Sequence, residues 1–154
     1  MADEQNKPIR RVAVARLTED ALTPPPPGFI SPFQKIDEWL TAICAGEQPQ
    51  RAIAEYNIAF FDTPNDYFLG LAGYNTYYER AGEIRRIEFR PSAVFMALSK
   101  SAYKNIAIEH VRERIVQAIV AWTKTAPFKD SFLAKGSCIT MDLYGEIWAN
   151  YVGE

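Results

Sequence analysis

The pattern of apolar residues and turn signals predicts three consecutive β-strands in the first half of the chain. The segments are residues 54–62, 67–79 and 83–90. The sequence Thr63–Asp66 has proline at the second position, which suits a type I turn. The pattern therefore predicts an antiparallel meander in which residue 62 faces residue 67 and residue 79 faces residue 84.

Both faces of this predicted meander carry apolar side chains. One face holds Tyr56, Ile58, Phe60, Leu69, Leu71, Tyr77 and Ile84, and the other holds Ala59, Phe61, Phe68, Ala72, Tyr74, Tyr78, Ile87 and Phe89. Neither face is therefore expected to be fully solvated. Gly70 and Gly73 favour a bulge or a strong bend in the middle strand.

Two segments have helical periodicity. The first, residues 32–45, starts with a capping box formed by Ser31 and Gln34. The second, residues 106–124, has an apolar stripe wide enough for central burial, and Asn105 is its candidate N-cap. The stripe consists of Ile108, Val111, Ile115, Ala118, Ile119 and Trp122.

Weaker patterns fill the remaining segments. Residues 9–17 read as a short strand, and residues 92–99 are ambiguous between helix and strand. Residues 137–152 read as one or two closing strands, with a turn or bulge at Gly145.

This order of elements predicts a single α+β domain over residues 1–154. We expect an antiparallel meander sheet packed on one long central helix, with a shorter N-terminal helix. Residues 1–8 are expected to be flexible, and residues 23–30 to form a proline-rich surface connection.

Charge is distributed unevenly, although the net charge is only −2. Residues 55–83 carry five acidic side chains against one arginine, and residues 136–154 carry three acids and no base. Residues 84–135 carry ten basic side chains against four acids. The simplest expectation is that these stretches neutralise each other in the fold.

The N-terminus is polar, and no stretch is apolar enough to span a membrane, so we expect a cytoplasmic protein without membrane association. Cys44 and Cys138 fall on apolar patterns and are expected to be small buried hydrophobes in a reducing compartment. A bridge between the two remains open at this point.

No catalytic, metal-binding or cofactor-binding arrangement is recognisable, so we expect neither an enzyme nor a cofactor. The lone histidine, His110, falls on the charged face of the second helix, where a surface role is expected. It has no cysteine at metal-ligand spacing, and no nucleophile motif accompanies it. Any protein with 19 acids offers pairs of carboxylates, so such pairs indicate little.

Nucleic-acid binding is disfavoured by the interleaving of charges. The best basic cluster consists of Arg85, Arg86, Arg90, Lys100 and Lys104, near Tyr77, Tyr78 and Phe89. Glu79, Glu83 and Glu88 are interleaved with it, and alternating signs on strands are typical of cross-strand ion pairs.

Aromatic and acidic residues occur together in the closing segment and beside the first turn of the meander. The candidate partner-binding residues are Asp142, Tyr144, Glu146, Trp148 and Tyr151, together with Asp62 and Asp66. Tyrosine and tryptophan are enriched at protein interfaces because they offer rigid apolar area with a polar group. The pattern therefore predicts a protein-binding surface.

In general character the chain resembles the immunity proteins of bacterial toxin systems. The resemblance depends on Tyr74–Asn75 after Gly73 and on the stretch from Gly145 to Tyr151. It implies a non-enzymatic toxin inhibitor whose acidic surface binds a basic toxin domain directly, with electrostatic steering of association.

Two other classes stay open. A cone-shaped α+β domain would enclose a Tyr- and Trp-lined pocket for a small ligand or for enzymatic chemistry. A structural or homo-oligomeric role is the third possibility.

Overall fold

The computed structural model of this chain describes residues 18–80 and 82–150. It is an α+β fold, as expected. The strands are β1 (Thr18–Glu19), β2 (Glu55–Asp62), β3 (Asp66–Glu79), β4 (Gly82–Phe89), β5 (Phe95–Ser99), β6 (Cys138–Met141) and β7 (Gly145–Ala149). The helices are α1 (Ile36–Ala45), α2 (Ile108–Trp122) and α3 (Ala126–Lys129), with 3-10 turns at Lys100–Tyr103 and Phe132–Lys135. The predictions for residues 1–8 and 9–17 lie outside the described residues.

The strands form one mostly antiparallel sheet in the order β1-β4-β3-β2-β6-β7. The long strand β3 pairs with β2 on one side, and on the other side with β5 along its first half and β4 along its second half. The expected antiparallel meander is confirmed for β2, β3 and β4. Two other pairs, β1–β4 and β2–β6, are parallel, which the sequence did not predict. The chain between β2 and β6 is long enough for the crossover that parallel strands require.

The register of the first hairpin is as predicted, because Asp62 pairs with Tyr67. In the second hairpin Glu79 pairs with Gly82 rather than with residue 84. This shift of two residues leaves the β4 side chains up to Ile87 on their expected faces.

A bulge in the β3–β4 pairing reassigns one aromatic side chain. The register shifts between Gly73 and Tyr74, so that Glu88 is the extra residue on β4. Beyond this bulge, Phe89 joins the core on the helix side, whereas Ile87 packs on the other face. The sequence pattern had placed both residues on the same face. A Cβ at Gly73 would lie 2.8 Å from the Ile53 side chain, which explains why glycine is needed at this close approach.

Both main helices begin later than predicted. Ser31 does not cap α1; its hydroxyl accepts a hydrogen bond from the Phe33 amide in a separate turn, and the helix starts at Ile36. Asn105 does not cap α2 either, because it adopts a positive φ of 65° in the turn before Ile108. Neither helix has a side-chain cap at its N-terminus.

The helices pack on one face of the sheet, and the helical layer contains α1 as well as α2. A single long central helix is therefore not confirmed. Trp39 on α1 is fully buried and donates to the Ala93 carbonyl at 2.7 Å, and the Trp122 indole donates to the Thr41 hydroxyl at 3.1 Å. Ile115 on α2 is fully buried, as its position in the apolar stripe predicts.

The other face of the sheet, called the outer face below, is partly covered by the proline-containing segment. Leu22 is buried against the outer face, where it closely approaches Gly70. Phe29 makes edge contacts with the rings of Phe68 and Phe95 at 6.0 and 6.1 Å. The predicted surface connection thus also closes a second, smaller apolar cluster.

Candidate functional site

Two hairpin turns lie at the same end of the sheet. Strands β2 and β6 are parallel, with Ile58 beside Met141, so the turns that follow them emerge at one end. This brings Asp62 and Asp66 to the same end as Asp142, although they are distant in sequence. We call this region the acidic end, and define it by Asp62, Asp66, Asp142, Tyr144 and Glu146.

Hydrogen bonds that involve the backbone and a carboxylate side chain hold the β6–β7 turn against β2. The Asp142 amide donates to the Ile58 carbonyl at 3.0 Å, and the Phe60 amide donates to Asp142 Oδ2 at 3.4 Å. The Tyr144 amide donates to the Met141 carbonyl at 3.1 Å. The tip is therefore docked on a neighbouring strand rather than held only by its own hairpin.

Apolar side chains project from this tip. Leu143 is 81% exposed and Tyr144 51% exposed. Leu143 also has a φ of 64°, which is rare for a leucine and costs on the order of 1–3 kcal/mol. The tip therefore presents apolar area to solvent at two adjacent positions.

The other acidic residues have different surroundings. Asp62 forms an ion pair with Lys100, whose ammonium also lies 5.0 Å from the centre of the Tyr67 ring. The Asp66 carbonyl accepts hydrogen bonds from the amide and hydroxyl of Thr63. Glu146 is exposed on β7, so an exposed carboxylate also lies on this second hairpin.

Of the two remaining predicted residues, Trp148 does not join this surface. Trp148 pairs with Ile139 on the helix side of the sheet, and its ring contacts Phe128 edge-on at 4.9 Å. A bulge between Ile139 and Thr140 places Glu146 on the outer face instead. Tyr151 lies outside the described residues.

A polar network on the outer face was not anticipated from the sequence. Asn57 donates to the Thr140 hydroxyl at 2.9 Å, and that hydroxyl donates to Glu55. Arg85 contacts both Glu55 oxygens, at 3.3 and 2.9 Å, and its guanidinium lies 3.8 Å from the centre of the Tyr74 ring. The network thus spans β4, β3, β2 and β6.

This network and the Asp62–Lys100 pair carry out part of the expected charge neutralisation. Each joins the acidic stretch 55–83 to the basic stretch 84–135. The alternation of Glu55 and Asn57 on β2 was visible in the sequence, but their partner Thr140 could be found only with the parallel β2–β6 register.

Both cysteines are free and half-buried. Burial raises the pKa of Cys44, and burial together with the nearby charges of Glu55 and Glu146 raises the pKa of Cys138. Both shifts favour the thiol over the thiolate, which is the opposite of what a nucleophile or metal ligand needs.

Within residues 18–80 and 82–150, no group of three His, Cys, Asp or Glu side chains is arranged to hold a metal ion. His110 is exposed on α2, beside an open concavity of about 430 Å³ that it shares with Glu113 and Arg114. In the same part of the chain, no helix is long and apolar enough to cross a membrane.

A smaller cavity, of about 210 Å³, lies at the opposite end of the sheet from the acidic end. Tyr56 and Phe132 contribute aromatic rings to its wall, and Arg51 and Lys135 are also among its lining residues. No tryptophan lines it, so it differs from the Tyr- and Trp-lined pocket of the cone-shaped alternative.

Comparison with protein-family models, with curated proteins and with solved structures found no match to this chain.

Proposed function

We propose that this chain is a non-enzymatic protein-binding domain that binds a basic partner protein through the acidic end. The tip of the β6–β7 hairpin carries the proposal. Leu143 and Tyr144 are exposed there between Asp142 and Glu146. Apolar or aromatic anchors surrounded by a polar rim are the usual anatomy of a protein interface.

The anchoring of the tip supports this function. The hydrogen bonds from Asp142 and Phe60 fix the hairpin on β2 before any partner arrives. A preformed loop loses little conformational entropy on binding, so more of its contact energy contributes to affinity.

The charge of the acidic end favours a basic partner. Carboxylates from two hairpins lie at the same end of the sheet, and Lys100 pairs with Asp62. Such a surface accelerates association with a cationic partner and disfavours acidic ones. Following the resemblance to immunity proteins, we propose that the partner is a bacterial toxin domain, neutralised in the cytoplasm by direct binding.

Co-expression tests the biological proposal. A toxin domain encoded beside this gene is expressed with and without this chain, and survival of the cells only in its presence is the expected result. Rescue should be weakened by the Asp142→Lys, Glu146→Lys double variant. It should persist with Glu47→Lys, Asp130→Lys, which reverses two exposed carboxylates away from the acidic end.

Experiments with purified proteins distinguish a loss of binding from a loss of expression. The two double variants are first compared by circular dichroism and melting temperature, and then for binding to the toxin domain. Equal loss of binding in both variants, or no loss in either, would contradict a docking site at the acidic end.

A further inference from the structure

The cavity opposite the acidic end combines an apolar wall with a basic rim. Ile53 and Phe132 are 6% and 7% exposed and form part of its wall. Arg51 and Lys135 are exposed residues that also line it. Its volume of about 210 Å³ can be compared with the ~150 Å³ of an engineered cavity that binds benzene. The space therefore suits one molecule of about that size.

A buried tyrosine that lines the same cavity has a hydroxyl without a hydrogen-bond partner among the described residues. Tyr56 is 1% exposed, and no described residue accepts from or donates to its hydroxyl. Buried polar groups are almost always hydrogen-bonded, so an unsatisfied one at a cavity calls for an explanation. A tyrosine hydroxyl is a donor at neutral pH, and burial, with a further contribution from Cys44, raises the pKa of Tyr56 further.

The net charge at the rim of the cavity determines whether an anionic or a cationic ligand is favoured. Arg51 is paired with Glu88 at 3.1 Å, so these two charges offset each other. Lys135 has no salt bridge to any residue in the described part of the chain. The rim therefore offers one net positive charge, which matches a monoanion.

We propose that this cavity binds a small organic monocarboxylate. Its apolar body packs between Ile53 and Phe132, its carboxylate faces Lys135, and one of its oxygens accepts a hydrogen bond from the Tyr56 hydroxyl. A cavity of this volume is about one small molecule across, so both polar groups act on the same ligand. The proposal does not rest on protein binding at the acidic end.

Benzoate is the probe, and benzamide is its neutral control of nearly the same shape. A ligand of this size is expected to bind with a Kd in the millimolar range. At about 20 mM, benzoate should raise the melting temperature by a few degrees while benzamide has a smaller effect. Titration calorimetry then gives the affinity of each.

Single substitutions locate the bound probe. Tyr56→Phe removes only the hydroxyl and should weaken benzoate binding roughly tenfold, as expected for a hydrogen bond to a charged acceptor. Lys135→Gln should weaken benzoate severalfold and leave benzamide unchanged. The matched controls are Tyr78→Phe and Lys129→Gln, which change exposed side chains that do not line the cavity.

Three results would overturn the proposal. One is the absence of stabilisation by both benzoate and isovalerate, an aliphatic monocarboxylate. Another is equal affinity for benzoate and benzamide. The third is benzoate binding that is unchanged in both Tyr56→Phe and Lys135→Gln, since this would place the ligand elsewhere.

Discussion

Single residues at the β6–β7 tip have conformations that the fold alone does not explain. Leu143 combines a left-handed backbone with an 81% exposed side chain. A leucine in this conformation costs stability, and an exposed leucine regains little of that cost through burial. The proposed function gives this side chain a role as an anchor for the partner.

Replacing Leu143 should separate stability from binding. Asparagine tolerates a positive φ, so Leu143→Asn should leave the free energy of unfolding unchanged or raise it by up to about 1 kcal/mol. Binding to a confirmed partner should weaken by at least about tenfold, because an apolar anchor is lost. Denaturant unfolding and titration calorimetry measure the two effects.

The control for this variant is Ile30→Asn, which alters another exposed apolar residue at 85% exposure. It should leave binding unchanged. A clear loss of stability in Leu143→Asn would show that the leucine contributes to packing, contrary to the assignment made for it.

For single residues, the sequence suggests which residue types belong to a surface, but it does not predict the direction in which each side chain points. The exposure of Tyr144 and Glu146 agrees with their selection as surface candidates, whereas Trp148 points to the helix side because a bulge shifts the register of β7. Leu143 was not selected, because its exposure depends on a turn conformation that no periodic pattern reveals.

Among the elements, α2 provides the most direct test of how the core is built. Ile115 is fully buried on this helix, and Ile115→Ala should lower the free energy of unfolding by about 2–5 kcal/mol through lost burial and a residual cavity. The loss is measured by urea denaturation, with Ile30→Ala as an exposed control. A loss below about 1 kcal/mol would mean that the buried face of α2 has been assigned wrongly.

The outer-face network should contribute to joining β6 to β2. Thr140→Val keeps the side-chain shape but removes the donor to Glu55 and the acceptor for Asn57, at an expected cost of about 1–3 kcal/mol. Thr76→Val is the control, since Thr76 is an exposed threonine on the neighbouring strand β3. Equal stability of the two variants by denaturant unfolding would show that the network adds nothing beyond the strand pairing.

Elements with a strong periodic pattern were predicted well, and their ends were not. The β2–β3 register follows from the turn after Asp62, because a short turn leaves few ways to pair two strands. The start of α1 was misplaced because Ser31 has a hydroxyl that can satisfy either a helix end or a turn. The parallel β2–β6 pair could not be predicted, since no local signal links strands so far apart.

For the molecule as a whole, the acidic end should act chiefly on the rate of encounter. Asp142→Lys with Glu146→Lys should slow association with a basic partner several-fold at low salt, while dissociation changes less. The difference should shrink as ionic strength rises, because salt screens charges beyond about 10 Å at 0.1 M. Stopped-flow or surface-plasmon measurements over a salt series test this.

The control pair Glu47→Lys with Asp130→Lys has the same net charge as the test pair but a different charge distribution. It should have a smaller effect at every salt concentration. Identical salt dependence in both pairs would assign the effect to net charge rather than to the acidic end.

The candidate site was only partly accessible from the sequence. Acidic composition marked both hairpins, but their proximity depends on β6 lying parallel to β2. The cavity at the other end was not foreseen, because Tyr56 and Lys135 come together only through the packing of the Phe132–Lys135 turn against the start of β2.

The pairing of Ile58 with Met141 also has a consequence for the order of folding. Closing so long a loop is entropically costly, so contacts of high sequence separation form slowly, whereas the β2–β3 hairpin is local and can form early. The two halves of the acidic end therefore come together only after this late contact is made. A partly folded chain would not display the complete surface, and a partner that binds both hairpins would distinguish finished molecules from folding intermediates.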